Sequence, residues 1–291
     1  MPAIIPPALL ALIHNADPSW QATLQTGLQA VADADPAYLP ALAQDDYLPT
    51  EGRLFAAFRQ PLNAVRYVLV GEGPYPRAAS ATGVCFMDGA VGSLWSDKGL
   101  SKQVNRATSL RNFMKMLLVA DGRISADNTS GDALSGIAAV AQTADSGHIQ
   151  TLADLEHNLH AQGFLLLNAS LVFRAHVAPV KDAKAWKPFL HVVLQALAER
   201  DGKHAAPVLV LWGKIAEQLQ ALPLCERFPQ AVAEHPYNLS FIGHSGMQQL
   251  FGPMHLLQQP ATASDSGRKK SVASVAATTP PQQSAFTFSK A

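Results

Sequence analysis

A carboxylate, a phenol, a carboxamide and an imidazole stand just past the ends of short apolar runs in this chain. VLV (residues 68–70) leads into Gly71-Glu72-Gly73-Pro74-Tyr75-Pro76, FLLL (164–167) into Asn168, and AVA (231–233) into Glu234-His235-Pro236. Such groups hold polar ligands, donate to developing charge and move protons. Each one alone reads as an ordinary loop residue, because polar residues begin wherever a strand ends. Their convergence on one rim is the signal, and Gly73 is conspicuous among them for offering no side chain at all.

That rim needs a sheet to carry it. Residues 65–70 (VRYVLV), 164–167 (FLLL), 208–212 (VLVLW) and 231–233 (AVA) are short and apolar on both faces. Between them, Leu110, Phe113, Met114 and Leu117, then residues 152–162, then Trp186 to Leu197, then Ile215, Leu219 and Leu222 recur with helical spacing. Asp17 and Pro18 read as the cap and first residue of an N-terminal helix bearing Trp20, Leu24, Leu28 and Val31. Strands separated by crossover helices and apolar on both sides predict an α/β fold: three α/β/α layers around a short, parallel, four-stranded sheet. Ligands of such sheets bind beyond the carboxyl ends of the strands, where the polar residues lie.

Composition narrows the function classes. With 291 residues, 48% of them hydrophobic, the chain can bury a sizeable core. No run is long enough to span a membrane, and the N-terminus lacks a basic region and carries three prolines, so a cytoplasmic monomer is expected. Two cysteines, Cys85 and Cys225, are too few for a disulfide scaffold, a four-thiolate zinc site or an iron–sulfur cluster, and no metal or cofactor is expected. Lys and Arg balance Asp and Glu at 22 each, which predicts no broad basic face, although a narrow cluster of donors can still grip phosphates. One domain is expected over residues 1–257, with a polar surface insertion at 121–147. The Ser-, Thr-, Pro- and Gln-rich residues 258–291 read as a disordered tail, whose QQSAFTF end is either a docking motif for a protein partner or incidental composition.

Six ordered blocks carry a resemblance: LFAAFRQPLNAVRYVLVGEGPYP, TGVCFMD, SLRNFMKML, GFLLLNASLVFRAH, VLVLWG and HPYNLS. In order and approximate spacing the chain resembles family-1 uracil-DNA glycosylases, which carry GQDPYH, a GLCFSV-like segment, LLLNTVLTVRAH and HPSPLS. The likeness runs from about residue 17 to 257. It implies DNA as partner, single- or double-stranded, and cleavage of the N-glycosidic bond of deoxyuridine after the base is extruded from the stack. By this resemblance His235 matches the histidine that donates to uracil O2, and Asn168 the carboxamide that pairs with the uracil edge. Phe86 matches the aromatic that stacks on the base, and Tyr75 the ring filling the space of a thymine methyl. Leu239 matches the wedge that enters the base stack; Pro74, Ser109 and Ser240 fall in the matching DNA-facing segments.

The departures fall where chemistry occurs. Gly73 replaces the water-orienting aspartate, Glu72 a glutamine, Pro76 a histidine, and Tyr237-Asn238 a Ser-Pro pair, while VNRAT replaces a proline-rich segment. GEGP also resembles the GEAPG-like first motif of the iron–sulfur uracil-DNA glycosylases, by which analogy Glu72 positions water or stabilises a cation; as a solvated loop acid it would do neither. Three readings follow: a slowed glycosylase, a non-enzymatic binder of uracil-containing or single-stranded DNA, or a fold turned to another small ligand. The joint presence of Asn168, Phe86, Tyr75 and His235 favours the first two, since packing alone needs no such set.

Overall fold

A computed structural model describes residues 4–200 and 204–260. Two short helical segments, α1 (Pro7–Ala11) and then α2 (Gln21–Ala34), open the chain, and the carboxylate of Asp17 accepts from the Ser19 N–H (3.0 Å) to start the turn that feeds α2. After α3 (Tyr38–Leu42) comes the first strand, β1 (Tyr67–Gly71). It starts two residues later than the apolar run suggests, because the Val65 N–H closes the preceding Leu62–Ala64 turn. A two-residue hairpin, β2 (Trp95–Ser96) and β3 (Gly99–Leu100), precedes α4 (Lys102–Arg106) and α5 (Thr108–Ala120).

The polar stretch 121–147, expected as a surface insertion, contains a helix, α6 (Gly131–Ala141), packed on β3. The Ser130 hydroxyl caps it, and Leu134, Ala138 and Ala141 face inward at helical spacing. The polar residues that flank α6 on both sides mask this short apolar stripe. Then follow α7 (Leu152–Ala161), β4 (Phe164–Asn168), α8 (Pro179–Glu199), β5 (Val208–Trp212), α9 (Lys214–Gln220), β6 (Gln230–Ala233) and α10 (Ser245–Phe251).

Four strands form one parallel sheet in the order β4-β1-β5-β6. The predicted α/β/α architecture with a central four-stranded parallel sheet is thus the observed one. Every residue of β4 is buried, as are the middle residues of β1, because helices cover both faces: α2 packs on α8, and α5 on α10. The edge strand β6 departs from the expectation of burial on both faces. Val232 is 40% exposed there, whereas β4, the other edge strand, is buried throughout.

A buried ionic cluster fixes the segment after β4. The Arg174 guanidinium donates to Asp182 Oδ1 (2.6 Å) and Asp45 Oδ2 (3.0 Å), and Tyr38 donates its hydroxyl to Asp182 Oδ1 (2.7 Å). Burial and the neighbouring Asp182 carboxylate push the Tyr38 phenol far above its ordinary pKa, so it remains a donor. Residues up to Gln259 fall in one compact unit, two residues past the expected boundary, because Asn158 donates to the carbonyls of Leu256 and Gln258. Of the second unit only Pro260 is described; the tail and its QQSAFTF end lie outside the described residues.

Candidate active site

The parallel register sets the predicted residues side by side. Gly71 pairs with Asn168 at the carboxyl ends of β1 and β4, and the ladder continues beyond them: the Ala169 N–H donates to Gly71 O (2.8 Å) and the Ser170 N–H to Glu72 O (3.0 Å). The backbone bearing Glu72 and Gly73 is therefore held against the strand that ends in Asn168. Across the sheet, the Gly213 N–H donates to Ala233 O (3.0 Å), which brings the end of β6, and with it His235, against the end of β5.

These strand ends enclose a cavity of about 270 Å³, near the lower bound of ligand sites. Glu72, Gly73, Tyr75, Phe86, Asn168, His235 and Ser109 all line it, so seven of the sequence-predicted site residues meet in one place. Leu69, Val70, Gly71, Cys85, Trp212 and Ile215 complete the wall. Two glycines are needed for that closure. A β-carbon on Gly71 would lie 2.8 Å from Cys85 Cβ and 2.9 Å from Asn168 Oδ1, and one on Gly213, whose φ is +62°, would lie 2.8 Å from His235 Cβ.

Each functional group is poised by its surroundings. Asn168 is 3% exposed, and its Oδ1 has no hydrogen-bond partner. A buried acceptor without a partner costs roughly 1–3 kcal/mol, a cost of the kind met at functional sites. Phe86 adopts φ +68°, a left-handed conformation costing about 1–3 kcal/mol for such a side chain, and stacks edge-on against Phe113 and Trp212, 5.3 Å from each ring. The Tyr75 hydroxyl donates to Phe86 O (3.3 Å), and burial followed by the nearby Asp88 charge pushes its pKa up to about 12. Cys85 is fully buried, which pushes its thiol pKa up and makes it a wall rather than a nucleophile.

His235 combines exposure at its edge with a desolvating wall. Desolvation lowers its pKa below the ordinary value, with the Glu72 charge pulling the other way, so the ring is neutral near neutral pH. The Tyr237 N–H donates to His235 Nδ1 (3.1 Å). Because Nδ1 is thereby an acceptor, the proton of the neutral ring sits on Nε2, which becomes the donor.

Not every predicted residue is in the wall. Pro74 is half-buried in the loop beside the cavity, while Leu239 and Ser240 follow His235 on its loop outside the lining. Leu239 is 70% exposed at the start of a short turn anchored by buried Phe241, whose ring packs on Trp212. Burial pushes the Glu234 pKa up, but the Ser240 hydroxyl, a backbone hydrogen bond and the His244 charge together hold it below its ordinary value. Two contributors escaped the sequence reading. Trp212 ends an apolar run, the position from which the other wall residues project; Asn112 is the buried polar residue of SLRNFMKML and donates to three carbonyls of the His235 loop. Among the described residues no group of three His, Cys, Asp or Glu side chains could hold a metal ion, and no helix is long and apolar enough to cross a membrane.

A short parallel sheet thus brings a carboxamide, aromatic rings and an imidazole at its strand ends to the wall of one small cavity. No family model matches the chain. It is 30% identical over 212 residues to the uracil-DNA glycosylase of Corynebacterium glutamicum, covering 72% of this chain and 74% of that protein. It is also 30% identical over 199 residues to the uracil-DNA glycosylase of Oleidesulfovibrio alaskensis, covering 68% and 71%. Among solved structures, the wild-type UNG crystal structure from Nitratifractor salsuginis superposes with a TM-score of 0.77 at 36% identity, over 87% of this chain and 96% of that one. The chain belongs to the uracil-DNA glycosylase family.

Proposed function

We propose that the protein hydrolyses the N-glycosidic bond of deoxyuridine in DNA, slowly, because Gly73 leaves the water-orienting position without a carboxylate. The observation that carries this reading is the joint lining of one small cavity by Asn168, Phe86, Tyr75 and His235. A uracil ring flipped into the site offers N3–H and O4 to the Asn168 carboxamide. Cytosine has an acceptor at N3 and would leave it unpaired, at a cost of roughly 1–3 kcal/mol. Phe86 supplies the stacking face, and Tyr75 occupies the wall beside it.

As the C1′–N1 bond breaks, its electron pair passes into the uracil ring and negative charge grows on O2. His235, neutral and protonated at Nε2, donates to that oxygen without giving up its proton. The sugar is left as an oxocarbenium ion that takes oxygen from water, and the proton of that water passes to Glu72 or to solvent. Glu72 lines the same cavity, and its charge reaches His235, which supports a role in stabilising the cation. Gly73 also supports a second reading, a protein that binds uracil-containing or single-stranded DNA without cutting it.

Single-turnover release of uracil from an oligonucleotide separates the two. Release by the wild type that His235→Ala abolishes, and that Asn168→Ala cuts by roughly ten- to a hundred-fold, supports the enzyme. An inert wild type that still prefers uracil-DNA, with salt-sensitive affinity, supports the binder. No activity and no preference for uracil overturns both.

A further inference from the structure

Helix α5 buries one polar side chain among its apolar ones. Asn112 has 0% exposure, and its amide donates to Pro236 O (2.7 Å), with longer contacts to Tyr237 O (3.3 Å) and Asn238 O (3.4 Å). All three acceptors lie between His235 and Leu239, 124 to 126 residues further along the chain. The shortest bond has a particular consequence. Pro236 C=O and Tyr237 N–H belong to the same planar peptide unit, and in a trans peptide they point in opposite directions. One side of that unit accepts from Asn112; the other donates to His235 Nδ1 at 3.1 Å.

We infer that Asn112 is a positioning residue for the reaction: through one rigid peptide it orients His235 and holds the imidazole in its Nε2–H tautomer. The donated bond also polarises the peptide and strengthens its N–H as a donor. Asn238 O has a second donor in the Phe241 N–H (3.3 Å), so the Pro236 end of the loop depends most on Asn112. The inference rests on the glycosylase reading for its catalytic meaning, but its geometry is testable without turnover.

The test reads the His235 ring by nitrogen NMR. In the wild type, a coupling transmitted across the hydrogen bond between Tyr237 N and His235 Nδ1 is expected, with the Nε2–H tautomer dominant; absence of either overturns the proposal. In Asn112→Leu, and in the near-isosteric Asn112→Asp, the Nδ1–H form gains population and the His235 pKa rises, because Nδ1 is released to take a proton. Single-turnover uracil release falls by roughly ten- to a hundred-fold in the same variants. Leu117→Ala, a core truncation on the same helix, lowers the melting temperature and leaves the imidazole signals in place. A folded Asn112 variant with unchanged tautomer and pKa refutes the inference. An inert wild type with the expected imidazole signature refutes only the glycosylase reading.

Discussion

Gly73→Asp should accelerate uracil release. A β-carbon at Gly73 would lie 3.6 Å from both Ser170 Cβ and Ser170 O, which is ordinary contact, and its φ is outside the left-handed region, so the backbone accepts a side chain without strain. The substitution is therefore neutral or stabilising by up to about 1 kcal/mol, through the stiffer unfolded chain. A positioned acid–base group contributes about 10²–10⁴-fold, or roughly 3–5 kcal/mol of transition-state stabilisation. Glu72 sets where in this range the gain falls. If Glu72 already orients water or offsets the cation, the gain lies near the lower bound, and Glu72→Gln slows the wild type more than it slows the Gly73→Asp protein. The assay is single-turnover release from single- and double-stranded uracil oligonucleotides with enzyme in excess, alongside melting curves and binding to a non-cleavable analogue. A folded Gly73→Asp protein that binds the analogue as the wild type does and releases uracil no faster would refute the assignment of Gly73 as the missing water-orienting position.

Glu72→Gln should lower the His235 pKa further, since it removes the charge that opposes desolvation; a proton NMR titration reads this directly, and an unchanged value would place Glu72 too far away to act. Because the folded pKa lies below the unfolded 6.5, the His235 contribution to stability is complete above 6.5 and declines as pH falls toward the folded value; Glu72→Gln extends that decline to lower pH, measurable by denaturant melts. Leu239→Ala, at a 70% exposed position, should change stability by less than about 0.5 kcal/mol while reducing release from duplex DNA more than from single strands. Equal losses on both substrates would remove its role as a wedge. Asp182→Ala leaves the Arg174 guanidinium with Asp45 alone and the Tyr38 hydroxyl without its acceptor, and should cost about 1–3 kcal/mol in thermal or chemical denaturation, with the cavity residues untouched.

The residue types along the chain determined the strands, the helices and the rim. Val68–Val70, Phe164–Leu167 and Val208–Trp212 are apolar on both sides of the pleat, a pattern only a doubly covered sheet satisfies, and Glu72, Asn168 and His235 follow such runs directly or within two residues. Motif spacing likewise marked Gly73 as a position without its expected carboxylate. Other features depended on segments distant in sequence. The α6 stripe of Leu134, Ala138 and Ala141 had the right spacing but needed the β2–β3 hairpin to bury it, and of the two edge strands β4 is covered throughout while β6 leaves Val232 exposed. Which nitrogen of His235 carries the proton follows from a hydrogen bond of the Tyr237 peptide, itself held by Asn112 more than a hundred residues earlier. Local spacing fixes which face a side chain occupies, since that is a property of the helix or strand alone. The direction and partner of a hydrogen bond depend on where two packed elements come to rest, and only the folded chain supplies that.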